Sequence, residues 1–264
     1  MPSITSAQNP RLRELLRLAG SSRERRKTGR CVLDGAHLIA VYLDRVGAPE
    51  LLAVSDEAMA REEVRRLVDV VPASRTLMVP ARLLAQESAM PADIGVLAIV
   101  PTPVEAARDD AAFTLLVEDV QDPGNVGSML RTAAAAGVDQ VLLSRDCAFA
   151  WSPKVLRAGQ GAHFLTRVAE DIDLVAWTTA LRARGGQAVA TTVRGGADLY
   201  RTPLREPLAL AIGNEGAGLS AALIACCDVQ VTIPMAGGNE SLNAAAATAV
   251  VLFEAVRQRR NRAR

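Results

Sequence analysis

The sequence predicts an α/β fold built around a parallel sheet, with a smaller α/β unit ahead of it. Three observations point there. Short apolar runs of strand length alternate with helical patterns along nearly the whole chain. Phe113 to Val117, Val126 to Ala136 and Gln140 to Ser144 read as strand, helix and strand, a βαβ unit whose strands run parallel. Three glycine-containing loops each follow directly on a strand, where ligands of open α/β sheets gather.

The chain has 264 residues, half of them apolar and 22% charged, which marks a globular protein large enough for two modest domains. The four cysteines (Cys31, Cys147, Cys226 and Cys227) form no C-x-x-C pair, and His37 and His163 are the only histidines. That pattern fits neither a disulfide framework nor a zinc site, so no metal is expected and a reducing cytoplasm is. The first residues carry no apolar signal-peptide core, and no run of 18 apolar residues occurs, so no membrane span is expected either.

In chain order, Leu12, Leu15, Leu16 and Leu18 give the first helix an apolar stripe. Arg11, Arg13, Arg17, Arg23, Arg25, Arg26, Lys27 and Arg30 then fall on its exposed side and in the following turn. Such a cluster is either a solvated helix face or a phosphate-binding surface. Strands are expected at Cys31 to Leu33, Glu50 to Ser55, Arg75 to Val79 and Ile94 to Val100. Helices are expected at Ala36 to Val46, Glu57 to Val68 and Ala81 to Gln86. These make an alternating unit over residues 1–100. Residues 101–112, with Pro101, Pro103 and the charged Asp109-Asp110, read as a linker to a second domain at 113–264. There, Ser152-Pro153 caps a helix through Arg157, and Asp173 to Arg184 is another, stopped by Gly185-Gly186. Further strands are expected at Phe164 to Val168, Gln187 to Thr191, Leu208 to Ile212 and Val229 to Ile233.

The chemistry concentrates in the loops. In Glu118 to Arg131, Asp122-Pro123-Gly124 makes a tight turn and Asn125 is the expected N-cap. Arg131 places a full charge on an otherwise apolar helix, either as a snorkelling surface residue or as a positioned functional group. Gly124, Gly127 and Gly137 do not supply the G-x-G-x-x-G of a dinucleotide fold. In Ala211 to Ser220, Gly213, Gly216 and Gly218 let a ligand lie against the backbone, and Glu215 adds one carboxylate. In the third stretch a strand ending at Ile233 and Pro234 leads through Gly237-Gly238 into an alanine-rich helix, with Ser241 as its expected N-cap.

The sequences Gln121-Asp-Pro-Gly-Asn-Val-Gly-Ser-Met-Leu-Arg131, Ile212-Gly-Asn-Glu-Gly-Ala-Gly-Leu219 and Ile233-Pro-Met-Ala-Gly-Gly-Asn-Glu-Ser-Leu-Asn243 resemble, in order, motifs 1, 2 and 3 of the SpoU/TrmH family. These are RNA 2′-O-ribose methyltransferases of the SPOUT superfamily, and the resemblance spans residues 113–257. Ser152 to Ala158 with Gly161-Ala162 is similar to the family too. Upstream, Ser6 to Leu12 and Val32 to Ala36 resemble the small RNA-binding domain found before many of these catalytic domains, with Asp34 where glutamate is common.

The resemblance implies a SPOUT-type α/β domain whose C-terminal part is threaded as a deep trefoil knot, working as a homodimer with the last helix at the interface. It implies S-adenosylmethionine as cofactor, held by Gly213, Asn214, Glu215, Gly218, Ile233, Met235, Ser241 and Leu242. Catalytic roles fall to Arg131, Asn125, Glu215, Ser241 and Asn243. For Ser241 and Asn243 a cap or loop-fixing hydrogen bond is an equal reading. A guanidinium does not ordinarily act as a base, so Arg131 is expected to orient the hydroxyl and a phosphate and to stabilise the developing alkoxide. RNA contacts are expected from Arg11, Arg13, Arg25, Arg26, Lys27 and Arg157. Aromatics are only 3% of the chain, so phosphate contacts outweigh base stacking. Ribosomal RNA is favoured over transfer RNA. The alternatives are a non-RNA acceptor and a catalytically silent RNA-binding module.

Overall fold

The computed structural model describes residues 6–85, 95–236 and 241–262, and they form two compact units. The first gathers Met1–Pro103 with Trp151–Phe164; the second gathers Val104–Ala150 with Leu165–Arg264.

In the first unit, helices α1 (Pro10–Gly20) and α2 (Ser22–Thr28) precede strand β1 (Arg30–Asp34) and helix α3 (Ala36–Arg45). Then come β2 (Leu51–Ser55), α4 (Glu62–Val70), β3 (Thr76–Val79), α5 (Ala81–Ala85) and β4 (Val96–Pro101). Asn9 begins α1, its Oδ1 accepting from the backbone N–H of Arg11 and Leu12, with Pro10 in the first turn. The leucine stripe of α1 packs with Val32, Leu51, Leu77 and Ile99 as one core. The sheet order is β1-β4-β2-β3. Only β2 and β3 run parallel, so this sheet is mixed. The single helix expected over Glu57 to Val68 is broken in two. A 3₁₀ turn at Glu57–Ala60 starts on the Asp56 carboxylate, and extended Arg61 lets α4 begin anew. Gln86 and Ile94 lie outside the described residues.

The segment Trp151–Phe164 was expected within the 113–264 domain, yet it packs with the first unit. Helix α7 (Pro153–Gly159) begins on Ser152, as expected, with Ser152 Oγ accepting from Val155 N. Phe164 meets the Tyr42 ring edge-on at 5.2 Å, and Trp151 lies beside it. A Cβ at Gly161, where φ is +90°, would strike Val41 at 2.9 Å. This packing holds Phe164 in a 3₁₀ turn (Ala162–Phe164), so the strand expected from Phe164 to Val168 is shorter, β7 at Arg167–Ala169.

The second unit contains β5 (Phe113–Val117), α6 (Pro123–Ala136), β6 (Gln140–Leu143) and β7, then α8 (Leu174–Ala183), β8 (Gln187–Thr191) and the two-residue β9 (Ala197–Asp198). It ends with β10 (Leu208–Ile212), α9 (Ala221–Cys226), β11 (Val229–Thr232) and α10 (Ala244–Arg262). Its sheet has the order β7-β6-β5-β10-β8-β11-β9, every pairing parallel, as the βαβ pattern predicts. Every residue of β5 and β10 is buried, as strands covered on both faces require. The chain leaves β5 toward β6 on one side, and β10 closes on β5 from the other. Their carboxyl ends therefore frame the crevice where open α/β sheets bind ligands.

Of residues 101–112, expected as a linker, Pro101 closes β4, and 102–112 have no regular structure but are tied down. The Gln140 amide exchanges hydrogen bonds of 2.8 and 2.9 Å with the Arg108 backbone. The Asp139 carboxylate accepts from Ala112 N and Phe113 N.

Candidate active site

Loop 1 leaves β5 and enters α6. Asp122, not Asn125, caps the helix: its Oδ1 accepts from Asn125 N at 2.8 Å. An aspartate one residue before the first-turn proline fills the cap, which leaves the Asn125 side chain free for other partners. Its Nδ2 donates to Glu215 Oε1 at 2.8 Å, and its Oδ1 accepts from Asn243 Nδ2 at 2.9 Å.

Loop 2 follows β10. Asn214 Oδ1 accepts from Gly216 N and Ala217 N, which closes a tight turn with Glu215 at its tip. Gly213 is obligatory, because a Cβ there would fall on the backbone of Gly218 and Leu219. Gly218 has a φ of +72°, in the region that favours glycine.

Loop 3 follows β11. Helix α10 starts two residues later than the Ser241 cap implies. Asn243 takes that role, its Oδ1 accepting from Ala245 N and Ala246 N at 2.9 and 3.2 Å. Residues 237–240, including the expected Gly237-Gly238 turn and Glu240, lie outside the described residues. One asparagine thus caps a helix with its oxygen and reaches loop 1 with its nitrogen.

Loops 2 and 3 enclose a cleft of about 280 Å³. Gly213, Asn214, Glu215 and Gly218 line it from loop 2, and Ile233, Met235, Ser241, Leu242 and Asn243 from loop 3. These include all eight residues expected around the cofactor. Sequence reasoning missed the rest of the wall: Thr191, Thr192 and Val193 at and just past the end of β8, Ile212 and Thr232 at the ends of β10 and β11, and Ala244 and Ala247 on α10. A polar residue closing an apolar strand was the signal available for Thr191. Arg131 does not line the cleft. It stands exposed on α6, with no hydrogen bond or ion pair among the described residues.

A model of the SpoU rRNA Methylase family matches residues 112–253. The chain belongs to the SpoU rRNA Methylase family. It is 34% identical over 253 residues to the 23S rRNA (guanosine(2553)-2′-O)-methyltransferase RlmP of Bacillus subtilis, covering 96% of this chain and 98% of that one. It is 32% identical over 266 residues to the 23S rRNA (uridine(2479)-2′-O)-methyltransferase of Streptomyces viridochromogenes, covering 97% and 92%. Among solved structures, the SpoU methyltransferase AviRb from Streptomyces viridochromogenes in complex with AdoMet superposes with a TM-score of 0.84 at 30% identity, over 96% of this chain and all of that one.

The SpoU cleft fits S-adenosylmethionine on its own chemistry. An adenosine asks for apolar walls with a few fixed polar atoms. Ile212, Ile233, Leu242, Ala244 and Ala247 give the first. Thr191 Oγ1 gives one of the second, being buried and without a hydrogen-bond partner. The Cβ-free strip at Gly213 allows close approach to the backbone.

The residues expected to meet RNA divide. Arg25 is buried, and its Nη1 donates to the carbonyls of Leu18 and Ala19 at 2.5 and 3.0 Å, so it ties α2 to α1 and not to phosphate. Burial pulls its pKa below the ordinary guanidinium value. Arg157 is paired: Nη2 meets Asp34 Oδ2 at 2.5 Å, and that carboxylate is only 1% exposed. Burial raises the Asp34 pKa despite the arginine beside it. Arg13, Arg26 and Lys27 are exposed and Arg11 is half-buried.

Proposed function

We propose that the protein transfers the methyl group of S-adenosylmethionine to a ribose 2′-hydroxyl of ribosomal RNA. The observation that carries this reading is the side-chain chain Glu215–Asn125–Asn243, which joins all three motif loops at the mouth of a cleft fit for the cofactor. Relatives matched over nearly the full length of the chain are 23S rRNA 2′-O-methyltransferases, which favours ribosomal RNA.

When bound, the cofactor supplies an electrophilic methyl group for in-line displacement, so alignment supplies much of the rate. Glu215, Asn125 and Asn243 hold the three loops in one arrangement around that cleft. Ser241, on the lip of the cleft, offers a hydroxyl to the same region. Arg131, exposed and without a side-chain partner among the described residues, orients the hydroxyl and an adjoining phosphate, and its fixed charge stabilises the negative charge that develops on the oxygen as its proton passes to solvent water. The first unit serves as the RNA-binding domain, with Arg11, Arg13, Arg26 and Lys27 meeting phosphates. The C-terminal part is threaded as a trefoil knot, a reading supported by β10 lying between β5 and β8, and β11 between β8 and β9. The protein is a homodimer through α10, where Phe253 is 49% exposed.

The test uses purified protein, methyl-labelled S-adenosylmethionine and separate pools of unmodified ribosomal and transfer RNA, digested to nucleosides afterwards. Label in a 2′-O-methylnucleoside from the ribosomal pool is the expected result. Label from transfer RNA alone would move the substrate. No transfer to either pool or to assembled ribosomal particles, with cofactor bound, would overturn the assignment in favour of a silent module or a non-RNA acceptor.

A further inference from the structure

We propose that Ser144 and Asp119, neither of which falls in the stretches matching family motifs 1 to 3, are positioning residues for methyl transfer. They act through Asn214 on Glu215; this rests on the proposed function above, in which Glu215 helps hold the three loops in one arrangement.

Asp119 follows β5 with a φ of +55°, a left-handed conformation uncommon for a residue with a side chain. Ser144, just past the end of the neighbouring β6, holds it there from two directions. Ser144 Oγ accepts from Asp119 N at 2.9 Å and donates to Asp119 Oδ1 at 2.5 Å. Turned this way, the Asp119 carbonyl accepts from Asn214 Nδ2 at 2.8 Å. The other end of the Asn214 amide closes the turn carrying Glu215, accepting from Gly216 N and Ala217 N at 2.9 and 3.0 Å. Glu215 in turn receives Asn125, and Asn125 receives Asn243. Hydrogen bonds therefore run from β6 through every motif loop to the start of α10.

The far end of loop 2 is anchored separately. The Glu118 carboxylate accepts from Ser220 N and Ser220 Oγ, both at 2.7 Å. With that anchor intact, losing the Ser144 clasp leaves the loop attached and the Gly213 strip in place. It frees the Asn214–Glu215 end to shift. Asn214 and Glu215 also line the cleft, but the Gly213 strip and the loop 3 wall stay in place, so the consequence falls mainly on the rate of transfer and little on cofactor affinity.

The experiment uses the full-length protein and reads single-turnover methyl transfer at saturating S-adenosylmethionine, alongside the cofactor dissociation constant. Ser144→Ala is expected to slow transfer about 10- to 100-fold, because small misplacements of aligned groups are that costly. The dissociation constant is expected to stay within about threefold, a difference well under 1 kcal/mol. Asp119→Asn is expected to keep most of the rate, since asparagine tolerates the left-handed region and retains an acceptor for Ser144. Ser144→Ala combined with Glu215→Gln is expected to be no slower than Glu215→Gln alone. An unchanged rate in Ser144→Ala overturns the proposal. So does a loss matched by weakened cofactor binding, or a double variant whose losses multiply. Absence of transfer by the unsubstituted protein would be failure of the functional reading instead.

Discussion

Asn125 Nδ2 donates to Glu215 Oε1 at 2.8 Å, joining the loop after β5 to the loop after β10 although 90 residues separate the two. Because Asp122 caps α6, the Asn125 amide spends neither end on its own helix. A neutral side chain with one donor and one acceptor is the group that satisfies a carboxylate on one side and an amide nitrogen on the other.

Asn125→Asp replaces that donor with a second carboxylate against Glu215. Two carboxylates at hydrogen-bond distance cannot both stay charged without cost. At neutral pH the variant is expected to transfer methyl more slowly than Asn125→Ala, with the gap narrowing as the pH falls and the pair takes up one proton. Rate-against-pH profiles of both variants check this. Profiles that run parallel would show that Asn125 and Glu215 do not meet in the working enzyme.

Gly213→Ala is expected to abolish S-adenosylmethionine binding, measured by calorimetry, because the added Cβ falls on the Gly218–Leu219 backbone that crosses it. Gly216→Ala is the control: its Cβ would meet only Asn214 Oδ1, at an ordinary 3.6 Å. Equal binding by both variants would contradict the account of the cleft floor.

Arg157→Met leaves the buried Asp34 carboxyl without its partner. Removing one member of a buried pair costs about 3–5 kcal/mol, and the partial exposure of Arg157 brings the expectation to about 2 kcal/mol. The Asp34 pKa is already raised, by burial. A raised carboxyl pKa gives stability that is present in full below the unfolded value, near 4, and is lost as pH rises through the folded value. The deficit of Arg157→Met, read from urea midpoints, is therefore expected to be larger at pH 7 than near pH 4. A deficit independent of pH would mean that the salt bridge is not its source.

The strand pattern and the parallel sheet of the second unit were legible in the sequence because both rest on local signals, apolar runs and β-to-glycine transitions. The eight expected cleft residues came with the motif resemblance, and the wall from the end of β8 and from α10, which carries no motif, was not legible. The caps were misread by a few residues. Asp122 and Asn125 are both good cap residues, three positions apart at one helix start, as are Ser241 and Asn243, two apart at another, and only the hydrogen bonds distinguish them. Arg25 and Arg157 were read as phosphate ligands because charge alone does not reveal burial. Their partners, the carbonyls of Leu18 and Ala19 for one and Asp34 for the other, are set by tertiary packing. The placement of Trp151–Phe164 in the first unit was invisible for the same reason, since rings from Tyr42, Trp151 and Phe164 meet only after folding.

Arg131 separates binding from chemistry in this account, being exposed on α6 and outside the cofactor cleft. The most direct test is single-turnover methyl transfer by Arg131→Ala, with the cofactor saturated and its dissociation constant measured on the same protein. Near-complete loss of transfer is expected, about 100-fold or more as for other groups that stabilise developing charge, with cofactor affinity unchanged. Transfer at the unsubstituted rate, or a loss explained by failure to bind S-adenosylmethionine, would contradict it.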